Sequence, residues 1–477
     1  MHRGKFWLII FWSGIFTGCT VGPKYQPPAI DVPCEWHAPA SEGMQTSSLD
    51  CFRWWESLND PQLNSLMERA AFRNLDLYIA AERIMEARAQ HKGGIANFYP
   101  HLDASASYEH LQFNQKTLNH ILGGISAKQH RGSSSRSLDI FEAGFDAQWE
   151  IDLFGRHAHT AQALKARIES STENFGHIWV TLSAEIARNY IELRGFQLNL
   201  QRINKNIDAQ EDMLALTNSL AATGFSSVLD QMQAEQQLKV FISQKPDIQL
   251  SIDKAIHRLS ILLGYAPGKL FEELSQPGCL PTVPYDKPIG VPSELLRRRP
   301  DIRRAERELA AATEMIGSAV AGLFPRLTLQ GFIGEIAALC SGSFTWLAGP
   351  QLLLPIFNSR LIEEDVEINQ IKTQQAFYEY QKTVLEALEE TENALAAFYY
   401  ELEKNTSQAQ AHRINQDVLE QTLQLYQTGF KDYLEVLTVQ RSFLASEEGY
   451  LQSRIELLLH YISLYKALGG GWDISCD

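Results

Sequence analysis

Few residues in this chain have the types and spacing that catalysis or metal binding needs. His157 and His159 sit two apart where a helix is predicted to begin, with no third ligand at zinc spacing, and read as a solvated pair. His120 and His130 fall in a Gly/Ser-rich stretch, Asn114–Ser137, that also carries Lys116, Lys128, Arg131 and Arg136. They read as solvated loop residues. The run Arg297-Arg298-Arg299 could hold an anion, but it directly precedes Pro300-Asp301, which fits the scaffold of a helix start. Gly469-Gly470-Gly471 follows a predicted helix end rather than opening one, so it cannot cradle a phosphate. Neither catalysis, a metal site nor a cofactor is expected.

One cysteine is placed for covalent chemistry. His2, Arg3 and Lys5 precede a short apolar run, Phe6 to Phe16, which meets Thr17-Gly18-Cys19. A basic head, a short apolar middle and a small residue describe a cleaved signal over 1–18. A cysteine directly after the small residue resembles a bacterial lipobox, where the thiol is acylated and becomes the first residue. Thr20, rather than Asp, in the next position points to the outer membrane. The other cysteines, Cys34, Cys51, Cys279, Cys340 and Cys476, are odd in number and read as structural; Cys34 and Cys51 could pair.

A second group of candidates consists of carboxylates at alternate positions. Glu142, Asp146 and Glu150 share a period-two face with Ile140, Gly144 and Gln148, while Phe141, Ala143, Phe145, Ala147, Trp149 and Ile151 form the other. Such a strand fits a soluble sandwich, or a membrane barrel with its apolar face toward lipid and its polar face toward water. Leu102 to about Phe113 forms a looser strand before it, with Asp103, Ser105, Ser107 and Glu109 on its polar side. Two further strands are expected over Leu327 to about Ala337 and Phe344 to Leu354.

Long helices must hold these strands. Asp60-Pro61 is a helix start, and an amphipathic helix is expected from Leu63 to about Ala96. Arg156 to Ala222 and Leu361 to Gln427 carry heptad-like apolar spacing: Leu182, Ile186, Leu193 and Ile203 in the first, Val384, Thr391, Leu395 and Phe398 in the second. Each ends at a Thr-Gly-Phe turn, Thr223-Gly224-Phe225 and Thr428-Gly429-Phe430, and each has a returning helix. The first returning helix carries Pro246, which is expected to kink or break it. The segments TGFSSVLDQMQAEQQL and TGFKDYLEVLTVQRSF, about 205 residues apart, reveal an internal duplication. The resulting plan is a signal (1–18), an extended N-terminal segment (19–60), a first repeat (61–263), a linker (264–299), a second repeat (300–468) and a tail (469–477). Each repeat is helix, two strands, long helix, turn, helix.

Composition narrows the function classes. A formal charge of −15 argues against a nucleic-acid partner, since phosphate binding needs basic surface. The 477 residues, 45% hydrophobic, can bury one large core or two medium ones. No internal run of 18 apolar residues exists, so no transmembrane helix is expected in the mature chain, which leaves a β-barrel open.

In order along the chain, Gly18-Cys19-Thr20-Val21-Gly22-Pro23-Lys24-Tyr25, Trp54-Trp55 with Asp60-Pro61, the stretch Val291 to Ile302 and the closing Ala467-Leu468-Gly469-Gly470-Gly471-Trp472 resemble outer membrane efflux proteins. More narrowly, they resemble TolC-type ducts of the NodT/OprM-like lipoprotein branch. The resemblance implies a mixed α and β fold: a homotrimer whose four strands per chain close one 12-stranded outer-membrane barrel, continued by a periplasmic α-helical barrel. It implies an exit duct for small molecules, fed by a periplasmic adaptor and an inner-membrane transporter of the RND type. A protein-secretion duct and a pore-free envelope lipoprotein are the alternatives. Outer membrane lipid is the remaining expected partner. Glu142, Asp146 and Glu150 would line the lumen. The turns at Gly224, Phe225, Gly429 and Phe430 would form the periplasmic tip, with Asp230, Glu435, Tyr426 and Lys431 as its gate.

Overall fold

The computed structural model describes residues 20–38, 53–113, 136–224, 226–284, 292–338, 341–357 and 359–472. Cys19, Phe225, His120, His130, Cys51, Cys340 and Cys476 therefore lie outside the described residues. Cys34 and Cys279 are exposed free thiols.

Asp60 caps the first helix as expected: its carboxylate accepts from the Gln62 and Leu63 amides at 2.9 and 3.1 Å. The helical stretch that follows is two helices, α1 (Pro61–Arg73) and α2 (Leu75–Ala96), where the sequence led us to expect one. Asn74 divides them. Its backbone is extended, its Oδ1 accepts from the Asp76 and Leu77 amides at 2.8 and 3.1 Å, and its Nδ2 donates to the Leu262 carbonyl at 2.8 Å. Asparagine competes with the helix for its own backbone, and here a tertiary acceptor decides the outcome.

Four strands follow in two pairs: β1 (His101–Phe113), β2 (Arg136–Ile151), β3 (Arg326–Ala338) and β4 (Ser341–Leu353). They form one antiparallel sheet in the order β1-β2-β3-β4. Strand β2 starts at Arg136, so Arg136 and Ser137, expected in the loop, pair with Phe113 and Gln112.

Two long helices carry the chain from the sheet to the turns. They are α3 (Arg156–Ala222, 67 residues) and α8 (Ser359–Gln427, 69 residues), and at 1.5 Å per residue each extends roughly 100 Å. The heptad positions of both are interior: Ile186, Leu193, Val384 and Phe398 are all at most 2% exposed. Their return partners are α4 (Val228–Leu262) and α9 (Tyr433–Ala467). Helix α4 passes through Pro246 unbroken, a correction to the break expected there. Proline removes one backbone bond, and the packed residues on either side, among them Phe241 and Ile252, hold the helix together. The remaining helices are α5 (Phe271–Leu274), α6 (Pro292–Arg298) and α7 (Pro300–Ala321).

The chain divides into two compact units. One comprises Met1–Pro28, Met85–Glu169 and Arg307–Tyr378 and holds the sheet; the other comprises Ala29–Ile84, Ser170–Glu306 and Glu379–Asp477 and holds the turns. In the second unit Arg299 is buried, bonded to Asp301 at 2.7 Å, Glu390 at 2.8 Å and the Ala467 carbonyl at 2.7 Å. The arginine run is thus a scaffold, as its position before Pro300 implied. No helix among the described residues is long and apolar enough to cross a membrane.

Candidate functional site

In the first unit, ladder register sorts the strand residues into two faces. Partners across an antiparallel pair share a face. Glu142 is opposite Ser107 and Ile336, Asp146 is opposite Asp103 and Phe332, and Glu150 is opposite Thr328. The three carboxylates therefore lie on one face, as their spacing required. Phe332 and Ile336 interrupt it, so the face is mixed rather than uniformly acidic. Asp146 accepts from the Ser105 hydroxyl at 2.5 Å. Glu150 lies 3.7 Å from Arg156, which offsets its charge, and 3.5 Å from His157.

The opposite face carries Tyr108, Phe141, Phe145, Trp149, Ile333, Phe344, Trp346 and Leu352, all exposed in the single chain, with Glu335 and the His110–Asp139 pair as charged or titratable interruptions. From Phe141 to Ile151 is ten residue steps; at ~3.4 Å each and a tilt of about 40°, the apolar band is roughly 25 Å tall. That is the height of a bilayer's hydrocarbon zone as outer-membrane strands meet it.

His157 and His159 are in this unit too, and they are not solvated. They are 8% and 7% exposed. The first turn of α3 is covered in this unit, so its polar residues had to find internal partners. Among the described residues no cluster of three or more potential metal ligands occurs.

In the second unit, the two turns come together. Gly224 and Gly429 take φ of +81° and +79°, the left-handed conformation that ends a helix. At the second turn the Phe430 amide donates to the Leu425 carbonyl and the Gly429 amide to the Tyr426 carbonyl, a complete Schellman closure. Phe430 itself is 79% exposed.

The two acidic residues differ in how they are tied. Asp230 closes a capping box: its carboxylate accepts from the Ser227 amide and the Ser226 hydroxyl, both at 2.9 Å, while Ser227 Oγ accepts from the Asp230 amide. Partial burial would raise its pKa, but these hydrogen bonds outweigh it and hold the carboxyl below the usual range. Glu435 instead forms an ion pair with Lys431, one helical turn away, and Asp432 caps α9 in its place. Ser226 is thus the first-half counterpart of Lys431, making the smaller version of the same local contact.

Tyr426 is interior, 8% exposed, and packs against Tyr433 with ring centroids 5.9 Å apart. Neither hydroxyl has a hydrogen-bond partner among the described residues. Burial pushes both phenols up, and the Asp230 carboxylate adds to the effect. A groove of about 670 Å³ joins Ser226, Asp230, Tyr426, Lys431, Asp432 and Tyr433. Tyr433 was not singled out from sequence. The signal for it was present in the duplication, which places Tyr433 where the first half has Val228, an aromatic for an aliphatic residue at a helix start.

Comparison with known proteins agrees with this architecture. The sequence model of outer membrane efflux proteins matches residues 66–265 and 291–470. Nodulation protein T of Rhizobium leguminosarum is 29% identical over 470 residues, covering 97% of each chain. The cation efflux system protein CusC of Escherichia coli is 29% identical over 469 residues, 96% of each. The toluene efflux pump outer membrane protein TtgC of Pseudomonas putida is 28% identical over 468 residues, 96% of this chain and 94% of its own. Among solved structures, the outer-membrane channel OprN superposes with a TM-score of 0.86 at 32% identity, over 95% of this chain and all of that one. CusC superposes at 0.79 and 26% identity, over 95% of this chain and all of that one.

Proposed function

The chain belongs to the family of outer membrane efflux proteins, and on that premise we propose that three copies assemble into the exit duct of a tripartite efflux system. The family is one of outer-membrane channels, and the chain is one of them. The observation that carries the proposal is the sheet. Four strands with one continuous apolar face cannot close on themselves, and the edges of β1 and β4 would each leave backbone groups unpaired in lipid at several kcal/mol per group. Three copies, β4 of one against β1 of the next, close 12 strands with the polar face inward.

A second feature supports assembly. Where the duplication puts Tyr433 and Leu437, the first half has Val228 and Met232, exposed at 69% and 64%. In the second half, Tyr433 and Leu437 are covered by α3 through Met213, Leu214 and Leu220. A neighbouring copy supplies that cover in the first half. The turns form the periplasmic tip, with Asp230, Glu435, Tyr426 and Lys431 as its gate. A periplasmic adaptor docks there and links the duct to an inner-membrane transporter of RND type. The cargo is small: the relatives are described as pumps for toluene and cations. Acylation of Cys19 adds an anchor beside the barrel.

The experiment is to purify the full chain from outer membranes, in wild-type and Cys19→Ser forms, and measure mass and conductance in planar bilayers. Both forms are expected to be trimers that conduct, with fatty-acid label only on the wild type. Monomers, or trimers that do not conduct, would refute the duct.

A further inference from the structure

The segment that follows Cys19 is seated in a made-to-fit groove of the first unit. The Val21 amide donates to the Phe154 carbonyl at 3.2 Å. The Val21 carbonyl meets His159 Nε2 at 2.9 Å, and the other ring nitrogen, Nδ1, meets a Glu314 carboxylate oxygen at 2.7 Å. Both ring nitrogens are thus engaged by oxygens of other segments, which fixes the ring from two sides. It bridges α3, α7 and the N-terminal segment in one residue.

Glycines shape the groove to the segment. Gly22 has φ of +118°, and a Cβ there would fall 2.5 Å from the Gly317 Cα. A Cβ on Gly317 would fall 2.6 Å from the His159 ring, and one on Gly155 would fall 2.9 Å from Thr20. Three residues on, Tyr25 packs on Ala166, Ala310 and Ala311, with the Arg307 guanidinium 5.7 Å from its ring centre.

We propose that His159 is a positioning residue that clasps the N-terminal segment that follows Cys19 to the channel body, next to the stretch where β2 leads into α3. Lipidation tethers the chain to the bilayer. The clasp tethers the lipidated end to the protein, so the acyl chains are held at the barrel wall instead of at the end of a loose leader. The clasp itself does not depend on acylation, since every contact is made by residues 20–25.

Trypsin reads the clasp directly. Lys24 is exposed, but its bond to Tyr25 is cleaved only when the segment lifts, so the cleavage rate reports the open population. The full-length trimer is digested in wild-type and Cys19→Ser forms, and the new terminus at Tyr25 is counted by mass. Loss of a charge-assisted bond in His159→Ala is expected to raise the rate about tenfold in both forms, with conductance unchanged. Gly22→Ala, which alters only the segment, is expected to do the same. Thr160→Val removes the 3.0 Å hydroxyl contact with Ser318 between the same two helices without touching the segment, and is expected to leave the rate alone. A wild-type rate in His159→Ala overturns the proposal. Should that variant fail to assemble, a wild-type rate in Gly22→Ala overturns it. So does an equal rise in Thr160→Val, which would make the effect one of general loosening.

Discussion

Lys431, in the turn before α9, is tied to Glu435 on that helix, and Tyr426 is buried with its hydroxyl unsatisfied, so the two residues proposed for the gate are held by different forces. An exposed ion pair one turn apart contributes only about 0.5 kcal/mol to folding. Its removal should therefore show in the pore before it shows in stability. Lys431→Asp with Tyr426→Phe is expected to raise single-channel conductance with trimers intact; unchanged conductance would place the gate elsewhere. A buried pair behaves in the opposite way. Burial would raise the Asp301 pKa, but hydrogen bonding and charge from Arg299 hold it below the usual carboxylate range. A depressed folded pKa stabilises above the unfolded value, near ~3.9, and that contribution is lost as pH falls through the folded one. Asp301→Asn leaves the buried guanidinium with Glu390 as its one remaining carboxylate among the described residues and should cost about 3 kcal/mol near neutral pH. In thermal melts the gap between wild type and variant should narrow below about pH 4; a constant gap would exclude linkage through this carboxylate. The acidic and turn residues were legible from spacing and duplication. His159 was not, because its partners are 138 and 155 residues away and no local pattern records them.

Among the elements, the sequence located both long helices and all four strands, since periods of seven and two persist over many residues there. It missed the break at Asn74, and of the kink or break expected at Pro246 the break does not occur; at both a single residue's local preference meets a tertiary contact. At Asn74 the contact, a bond to the Leu262 carbonyl, reinforced the break; around Pro246 packing overrode it. The glycine turns are a case where local chemistry alone decides. Nothing lies within 4 Å of a Cβ built on Gly224 or Gly429, so alanine there meets no clash and incurs only the left-handed backbone cost. Gly429→Ala should therefore destabilise the hairpin by about 1 kcal/mol, and Gly224→Ala similarly. Hydrogen exchange at the ends of α8 and α9 would measure it. A loss of several kcal/mol would mean that the turn is packed against something in the assembly.

For the whole molecule, the mixed character of the polar face sets how charge acts on transport. Glu150 is offset by Arg156, whereas Asp146 lies opposite Asp103 and accepts from the Ser105 hydroxyl. Asp146→Asn should therefore lower cation preference, read as reversal potential in planar bilayers, more than Glu150→Gln does. The reverse order would put the selective constriction at the base of the sheet. The unpaired edges of β1 and β4 have a genetic consequence. A copy whose β1 edge cannot pair still offers a sound β4, so it enters assemblies and spoils them. With equal expression and random mixing, only about one assembly in eight would be wholly sound. An edge-blocked allele would thus be dominant over a working one, while an allele that never folds would be recessive.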